Sequence, residues 1–353
     1  MEPFRLHRPR FSRRHLAMNW NFNRWFLLLG WRFRISSRRS KGAVDEKQSS
    51  SLLSSRFYKS VRAFTAEKSE LGAVIVASHG RFGNSIRNVA HALAVAEKLG
   101  VSEVVAKSVP QLPRGSWLLD TGVTFTHDPL LRPQQVPVPG TVLGGDFFLE
   151  GRLPTDLRGF DFATIGSGLR KILTTETRTP LPDDVLVIHI RSGDAFVENP
   201  NAGLSQPPLS FYLEVYSRIK PSRVVMVFED EANPVIGQLR DWFYENNIPV
   251  VSQSSDFSSD LAVLLRARSL VLAGGTLGAA IVLLSTDLQR VAVFGGQNMG
   301  RLWKSSHLRI LRVVDDAGHY SRDVTGKWRN SPHQRKLMSE YPQHYLAAAW
   351  ESR

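Results

Sequence analysis

The chain has no cysteine in its 353 residues. It therefore contains no disulfide, no thiolate metal site and no cysteine nucleophile. This composition fits a reducing compartment and weakly opposes a secretory lumen. We favour a cytoplasmic or membrane-associated location, and an organelle or the secretory pathway stays open. The sequence also lacks HExxH and GxSxG, which removes the common signatures of zinc proteases and serine hydrolases.

Net positive charge is nearly absent from most of the chain, although the net charge of the whole chain is +13. Residues 1–70 hold sixteen Lys and Arg against five Asp and Glu, which leaves only +2 for the other 283 residues. A nucleic-acid-binding protein usually spreads basic residues over its folded surface. We therefore expect no nucleic-acid partner.

The basic start of the chain has no long apolar run. Its longest, WFLLLGW at 25–31, is too short to span a bilayer, which needs about 20 residues. Three interpretations stay open: a membrane-surface segment through residues 1–35, an organelle transit peptide, or a misassigned leader before Met18. A serine-rich stretch at 49–57 is typical of a linker, so we assign residues 1–70 to a leader and linker.

From residue 71 the chain alternates apolar strands with helical spacing. The run at 72–78 is of strand length, and 85–100 has apolar residues at helical intervals. The proline-rich TPLPDD at 179–184 predicts a domain boundary, after which a second strand–helix series begins. This pattern predicts an α/β protein with two Rossmann-like domains and a cleft between them. We place the domains at 71–180 and 181–353, the second with a C-terminal helix.

The stretch VIHIRSGDAF, 187–196, ends one predicted strand. His189 and Arg191 are two residues apart, so on an extended chain they point to the same side. Gly193 permits a tight turn, Asp194 can fix it, and the guanidinium can bind a phosphate. The alternative is that Asp194 only neutralises Arg191 while His189 caps the strand.

Two glycine-containing turns, SHGRFGNS and GGT, precede predicted helices. Helix N-termini with nearby glycines can bind anions through backbone N–H groups, and Thr276 adds a hydroxyl. Asn84 is placed either to cap its helix or to bind a ligand. The alternative for SHGRFGNS is a plain strand–helix turn. We interpret the apolar helix 277–284 as core.

Acidic residues lie at the ends of two other predicted elements, after one strand and at the start of one helix. Three acids end the strand in VVMVFEDEAN, 224–233, where they could hold a divalent metal, although solvated loop and helix charge is the favoured interpretation. Asp260 stands at a helix start, where it could complement the dipole, and Ser258 or Ser259 could cap that helix.

Taken in order, these elements resemble the GDP-fucose-dependent fucosyltransferase superfamily, a branch of the two-Rossmann-domain (GT-B) glycosyltransferases. The resemblance covers roughly residues 72–285. HIRSGD is similar to the His-x-Arg-x-Gly-Asp motif, and GRFGNSIRNVAHALAVA to the opening Gly-x-Leu-Gly-Asn segment. VVMVFEDEANPVI resembles the strand-then-acids motif, and DLAVLLRARSLVLAGGTLGAA the segment that contacts base and diphosphate.

This resemblance implies a metal-independent, inverting transfer of fucose from GDP-fucose to a glycan or other hydroxyl acceptor, without a resident cofactor. The first domain would be the acceptor side and the second the donor side. Arg191 would bind the diphosphate and stabilise the departing nucleotide, Asp260 would read the base and Thr276 would contact phosphate. The implied catalytic residues are Arg191 and His189, and the implied nucleotide-binding residues are Gly80, Arg81, Gly83, Asn84, Gly193, Asp194, Asp260, Gly275 and Thr276.

The match has departures that leave two points open. Phe82, Ser85 and the GGT sequence differ from the usual residues, so the donor sugar rests on the resemblance alone. Asp146, Asp194 and Glu198 are candidates for the catalytic base, and the sequence does not rank them. Two other functions remain open: a non-catalytic nucleotide- or glycan-binding protein on the same scaffold, and a basic membrane-surface or nucleic-acid protein.

Overall fold

The structure is a computed structural model. It describes residues 34–36, 71–76, 80–130, 141–145, 147, 162–173, 179–204, 206–295 and 308–351. Two mostly parallel sheets with flanking helices make up this part of the chain, which confirms the predicted α/β class with two Rossmann-like domains. Apart from 34–36, the basic leader lies outside the described residues.

The first sheet has the strand order β1-β6-β2-β3-β5-β4. Its strands are β1 (Arg34–Ser36), β2 (Leu71–Val76), β3 (Glu103–Ala106), β4 (Gly115–Leu118), β5 (Thr124–His127) and β6 (Thr141–Gly145). The four central strands are parallel, and β1 and β4 are antiparallel edges. The helices of this first domain are α1 (Phe82–Leu99) and α2 (Phe162–Ile172).

The second sheet has the order β13-β12-β11-β10-β7-β8-β9, and all its strands are parallel except β13. The strands are β7 (Val185–Ile190), β8 (Arg223–Phe228), β9 (Val250–Gln253), β10 (Ser269–Leu272), β11 (Arg290–Phe294), β12 (Arg309–Asp315) and β13 (Leu346–Trp350). The helices of this second domain are α3 (Leu209–Ile219), α4 (Pro234–Glu245), α5 (Phe257–Leu265), α6 (Thr276–Leu284), α7 (His319–Val324) and α8 (Pro332–Glu340).

Two element boundaries differ from the sequence-based expectation. The helix predicted at 85–100 begins at Phe82, because Arg81 has the extended backbone of an N-cap, so Gly83 and Asn84 lie in the first helical turn. A helix, α8, does occur near the C-terminus, but the last described element is the edge strand β13. The predicted domain limits at 180 and 181 stay a prediction.

The two domains meet through helices rather than through a thin linker. One apolar core joins α1 and α2 of the first domain to α5, α6 and the near face of the second sheet, with Leu93, Ile165, Leu272 and Ile281 all buried in it. The helix predicted at 277–284 is core, as expected. A Cβ on Gly83 would stand 2.6 Å from the Leu277 nitrogen, so only glycine lets α1 and α6 approach this closely.

No helix in the described part of the chain is both long and apolar enough to cross a membrane.

Candidate functional site

Arg191 follows β7 directly, and ligands of parallel sheets usually bind beyond the carboxyl ends of the strands. Its Nη2 donates hydrogen bonds to both carboxylate oxygens of Asp194, at 2.9 and 3.0 Å. The side chain is 17% exposed, and its Nε is buried without an acceptor among the described residues. The other side of the guanidinium faces Gly275, where a Cβ would stand 2.7 Å from Nη1. The pairing of Asp194 with Arg191, which the alternative interpretation expected, is therefore present, and a glycine makes room for the guanidinium.

A second arginine reaches the same carboxylate from the other domain. Arg81, immediately before α1, places Nη1 3.2 Å from Oδ2 of Asp194 and is 59% exposed. Asp194 thus bridges Arg81 and Arg191, and this group of three carries one net positive charge. Two guanidinium groups that converge from two domains form a centre that attracts anions.

The N-terminal ends of α1 and α6 meet beside these arginines. The Thr276 hydroxyl donates a 2.5 Å hydrogen bond to Oδ1 of Asn84. Asn84 therefore does not cap α1, contrary to one sequence-based alternative, because the helix has already begun at Phe82. Neither Arg81 nor Gly275, the two N-cap residues, caps its helix with a side chain. First-turn N–H groups that no side chain caps add positive potential at this junction.

Asp230, directly beyond β8, holds the turn that carries Arg191. It accepts a short hydrogen bond from the Ser192 hydroxyl and a 3.2 Å bond from the Gly193 N–H. The bond from Ser192 is the main cause that lowers the pKa of Asp230. No group of three metal-ligating side chains occurs among the residues that the structure describes. One of the three acids in VVMVFEDEAN thus supports the neighbouring turn.

Asn233 fixes the same turn from behind and was missed by sequence reasoning. Its Nδ2 donates to the Arg191 carbonyl at 2.9 Å, and its backbone N–H donates to the Ser192 hydroxyl oxygen at 3.1 Å. Its Oδ1 accepts from the Val235 N–H and caps α4. The available signal was an asparagine directly before Pro234, a common N-cap arrangement.

His189 is almost fully buried on β7, two residues before Arg191. Burial lowers its pKa to about 4, and the charge of Arg191 acts in the same direction. The imidazole is therefore neutral near pH 7, and its Nδ1 has no partner among the described residues. A buried ring inside the strand does not cap it, so that alternative for His189 is wrong.

Asp260 lies two strands away from Arg191, on α5 beyond β9, and is only 8% exposed. It accepts a 3.0 Å hydrogen bond from the Gln253 side chain, and burial raises its pKa. The predicted cap at Ser258 or Ser259 is wrong. Asp256 caps the helix instead and accepts from both serine N–H groups, because it stands one residue before the first helical position.

The structure brings most of the predicted site residues to one junction. Four contacts join them: Arg81 with Asp194, Arg191 with Asp194, Arg191 with Gly275, and Thr276 with Asn84. Gly80, directly before Arg81, has a positive φ of 68°, and Gly193 has a positive φ of 55°.

The candidate bases are in three different situations. Asp194 is held by two arginines and would have to release them to accept a proton. Glu198 is exposed beyond the turn, and Asp146 lies outside the described residues. Glu229, one of the three acids of VVMVFEDEAN, was not among the base candidates; its carboxylate lies against the α-carbon of Gly193.

Comparisons with known proteins give only weak similarities in structure. No family model matches the chain, and no curated protein matches it. A crystal structure of POFUT1 with GDP aligns at a TM-score of 0.37 and 13% identity, over 62% of this chain and 97% of that one. A POFUT1 structure with GDP-fucose gives 0.36 and 12%, over 64% and 98%. The E. coli ADP-heptose LPS heptosyltransferase II gives 0.32 and 9%, over 68% and 89%.

Proposed function

We propose that this protein is a glycosyltransferase that takes a sugar from a nucleotide-diphosphate donor and transfers it to a hydroxyl of a glycan or other acceptor. The observation that carries the proposal is the convergence of Arg81 and Arg191, one from each domain, on a single carboxylate. A diphosphate has the charge and the oxygen spacing to bind two guanidinium groups. It would enter where the N-terminal ends of α1 and α6 meet.

Arg191 would act on the leaving group. As the bond between sugar and β-phosphate breaks, negative charge grows on the diphosphate oxygens. A guanidinium already held by Asp194 and by the supported turn stabilises this charge without reorganisation. Arg81 and Arg191 supply the positive charge for this step, so we propose transfer without a metal ion.

His189 would contribute a neutral imidazole. Its lowered pKa makes it a poor proton donor near pH 7, so we assign it hydrogen bonding to the donor rather than general acid catalysis. The base that activates the acceptor hydroxyl stays unassigned among Asp146, Asp194 and Glu198. Direct attack by that hydroxyl would invert the anomeric centre.

GDP-fucose is the donor we favour, and this choice rests on the sequence resemblance. Asp260 gives it chemical support, because a carboxylate accepts well from adjacent N–H donors such as the ring and exocyclic N–H groups of guanine. To bind guanine, Asp260 would have to share or release the Gln253 amide.

The first test measures nucleotide binding to the full-length protein. We expect GDP to raise the melting temperature, with or without magnesium, more than UDP, CMP or ADP does. Replacing Arg191 by Lys keeps the charge but removes the planar fork, so GDP affinity should fall at least about tenfold. Arg240→Lys is the control, because Arg240, on α4, pairs with Glu231 in the loop before that helix and not with the site.

Turnover is tested separately with GDP-fucose and an acceptor panel. Transfer that is abolished in Arg191→Ala, while the fold and melting temperature persist, supports the mechanism. Binding of GDP without transfer favours the non-catalytic alternative. A shift with UDP alone would reject GDP, a magnesium requirement would reject the metal-free step, and no nucleotide binding would reject the whole proposal.

A further inference from the structure

Glu229 is a carboxylate at the carboxyl edge of the second sheet that the proposed function does not use. It follows β8 directly, and its backbone carbonyl accepts a 3.2 Å hydrogen bond from the Ser254 hydroxyl. Its side chain is exposed, and the carboxylate makes no hydrogen bond or ion pair with any described residue. Its carboxylate occupies the space that a Cβ on Gly193 would take, so glycine at this position allows the contact. Glu229 is thus an open acceptor directly beside the turn that carries Arg191.

The neighbouring carboxylates are already engaged. Asp194 binds two arginines, and Asp230 accepts from Ser192 and from the Gly193 N–H. Glu231 pairs with Arg240 at 2.5 Å. Among the acids named here, Glu229 alone borders the Arg191 turn and keeps both oxygens available to a ligand.

The strand order places Glu229 between the two positions where the diphosphate and the base are proposed to bind. Along the sheet, β10, β7, β8 and β9 are consecutive neighbours, each about 4.8 Å from the next. Gly275 and Thr276 follow β10, Arg191 follows β7, Glu229 follows β8, and Asp260 lies beyond β9. If the diphosphate binds at Arg191 and the base at Asp260, the ribose lies over the end of β8.

A carboxylate in that position has suitable chemistry for ribose. The 2′ and 3′ hydroxyls are adjacent donors, and one ionised carboxylate can accept from both. Nucleotide-binding α/β folds use an acid near the phosphate turn in this way. Arg191 and the helix N-termini bind the anionic end, so an acid one strand away meets the uncharged sugar and is not repelled by phosphate at contact distance.

We propose that Glu229 accepts hydrogen bonds from the 2′ and 3′ hydroxyls of the ribose and thereby selects ribonucleotides over deoxyribonucleotides. This assignment rests on the proposed function, since it needs a nucleotide in the site. It does not depend on which sugar is transferred.

Calorimetric titration of the full-length protein with GDP, 2′-deoxy-GDP and 3′-deoxy-GDP tests the assignment. We expect the wild type to bind each deoxy nucleotide about tenfold or more weakly than GDP, because hydrogen bonds to an ionised acceptor are strong. Glu229→Ala should weaken GDP binding by at least this factor, and it should weaken binding of each deoxy nucleotide less, because each of these keeps only one of the two hydroxyls. Glu229→Gln should retain part of the preference, and the control Glu231→Gln should retain all of it.

The outcomes separate this inference from the proposed function. Equal affinity of the wild type for GDP and both deoxy nucleotides would overturn the role of Glu229 and leave nucleotide binding intact. An equal loss for all three nucleotides in Glu229→Ala would do the same. If UDP proves to be the nucleotide that binds, UDP and its deoxy forms replace the GDP series. No nucleotide binding by the wild type would overturn both proposals.

Discussion

The Thr276 hydroxyl and the Asn84 side chain are 192 residues apart in the chain and share a 2.5 Å hydrogen bond. Thr276 begins α6 and Asn84 lies in the first turn of α1, so this bond joins helix ends from the two domains. Arg81 and Asp194 make a second such link beside it. The contacts that align the domains are therefore also the groups proposed to bind the nucleotide, and changes at the junction should alter affinity.

Replacing Thr276 by Val keeps the shape of the side chain and removes the donor to Asn84. We expect a loss of about 1 kcal/mol in the free energy of unfolding, since one partly buried hydrogen bond is lost. GDP affinity should fall as well. Urea titration and calorimetry measure the two effects. Thr286→Val is the control, because that hydroxyl is exposed and, among the residues that the structure describes, bonds only to the adjacent Asp287. Equal effects of the two variants would contradict the role of the junction.

Gly83 and Gly237 provide a matched pair for the close packing of α1 on α6. A Cβ on Gly83 would enter the backbone of α6, so Gly83→Ala should destabilise the protein by about 1–3 kcal/mol. Gly237 lies in α4 with nothing within 4 Å, so Gly237→Ala should stabilise it by about 0.5–1 kcal/mol through helix propensity. Thermal or urea unfolding checks both signs. A neutral Gly83→Ala would show that the helices can move apart.

Asn233→Asp separates the cap of α4 from the support of Arg191. Aspartate still accepts from the Val235 N–H, but it cannot donate to the Arg191 carbonyl. We expect a loss of about 2 kcal/mol in stability, because a buried carbonyl loses its donor and faces a carboxylate. GDP affinity should fall through misplacement of Arg191. Calorimetry provides the readout, with Asp256→Asn, which changes the cap of α5, as the comparison. Unchanged GDP affinity would show that the turn keeps its position without this bond.

The buried histidines His91 and His189 should make the protein sensitive to mild acid. Burial lowers the pKa of each to about 4, below the value near 6.5 in the unfolded chain. The unfolded state then binds more protons, so stability falls as the pH drops from 6.5 towards 4, by at most about 3 kcal/mol for each histidine.

Urea unfolding at pH 7, 5.5 and 4.5 tests this. Asp230 has a lowered pKa, so its contribution is lost only below about pH 4, the unfolded value, and does not obscure the window. Burial raises the pKa of Asp260, which stabilises the folded state as the pH falls, so the predicted loss from the histidines is a net effect against it. His91→Asn can still donate from its amide towards the Phe147 carbonyl that His91 contacts, and it should flatten the pH dependence. A stability that stays constant from pH 7 to 4.5 would contradict the prediction.

Local sequence patterns were enough to predict the strand–helix alternation and to place predicted site residues after strands of the second sheet. Strands such as β7 are continuous apolar runs. Arg191 follows β7 directly and Thr276 stands four residues after β10, on the side where a parallel sheet binds its ligands. The small, apolar residues of α6 likewise indicated a buried helix.

Contacts between distant segments could not be read from the sequence. The support of Arg191 by Asp230 and Asn233 depends on β7 and β8 being neighbours, which residue spacing does not reveal. The position of Gly83 inside α1 depends on the packing of α6. The short strand β5, with only Thr124–His127, was missed because four residues of mixed polarity carry little periodic signal.

The apolar core shared by α1, α2, α5 and α6 bears on how this chain could be recombined. A half cut at residues 179–184 would expose the apolar face that the other half covers. Grafting the second domain of another protein onto the first would therefore require a matching set of core side chains on both sides. Changes of ligand specificity would have to be made by substitutions within the site, since the two halves share one core.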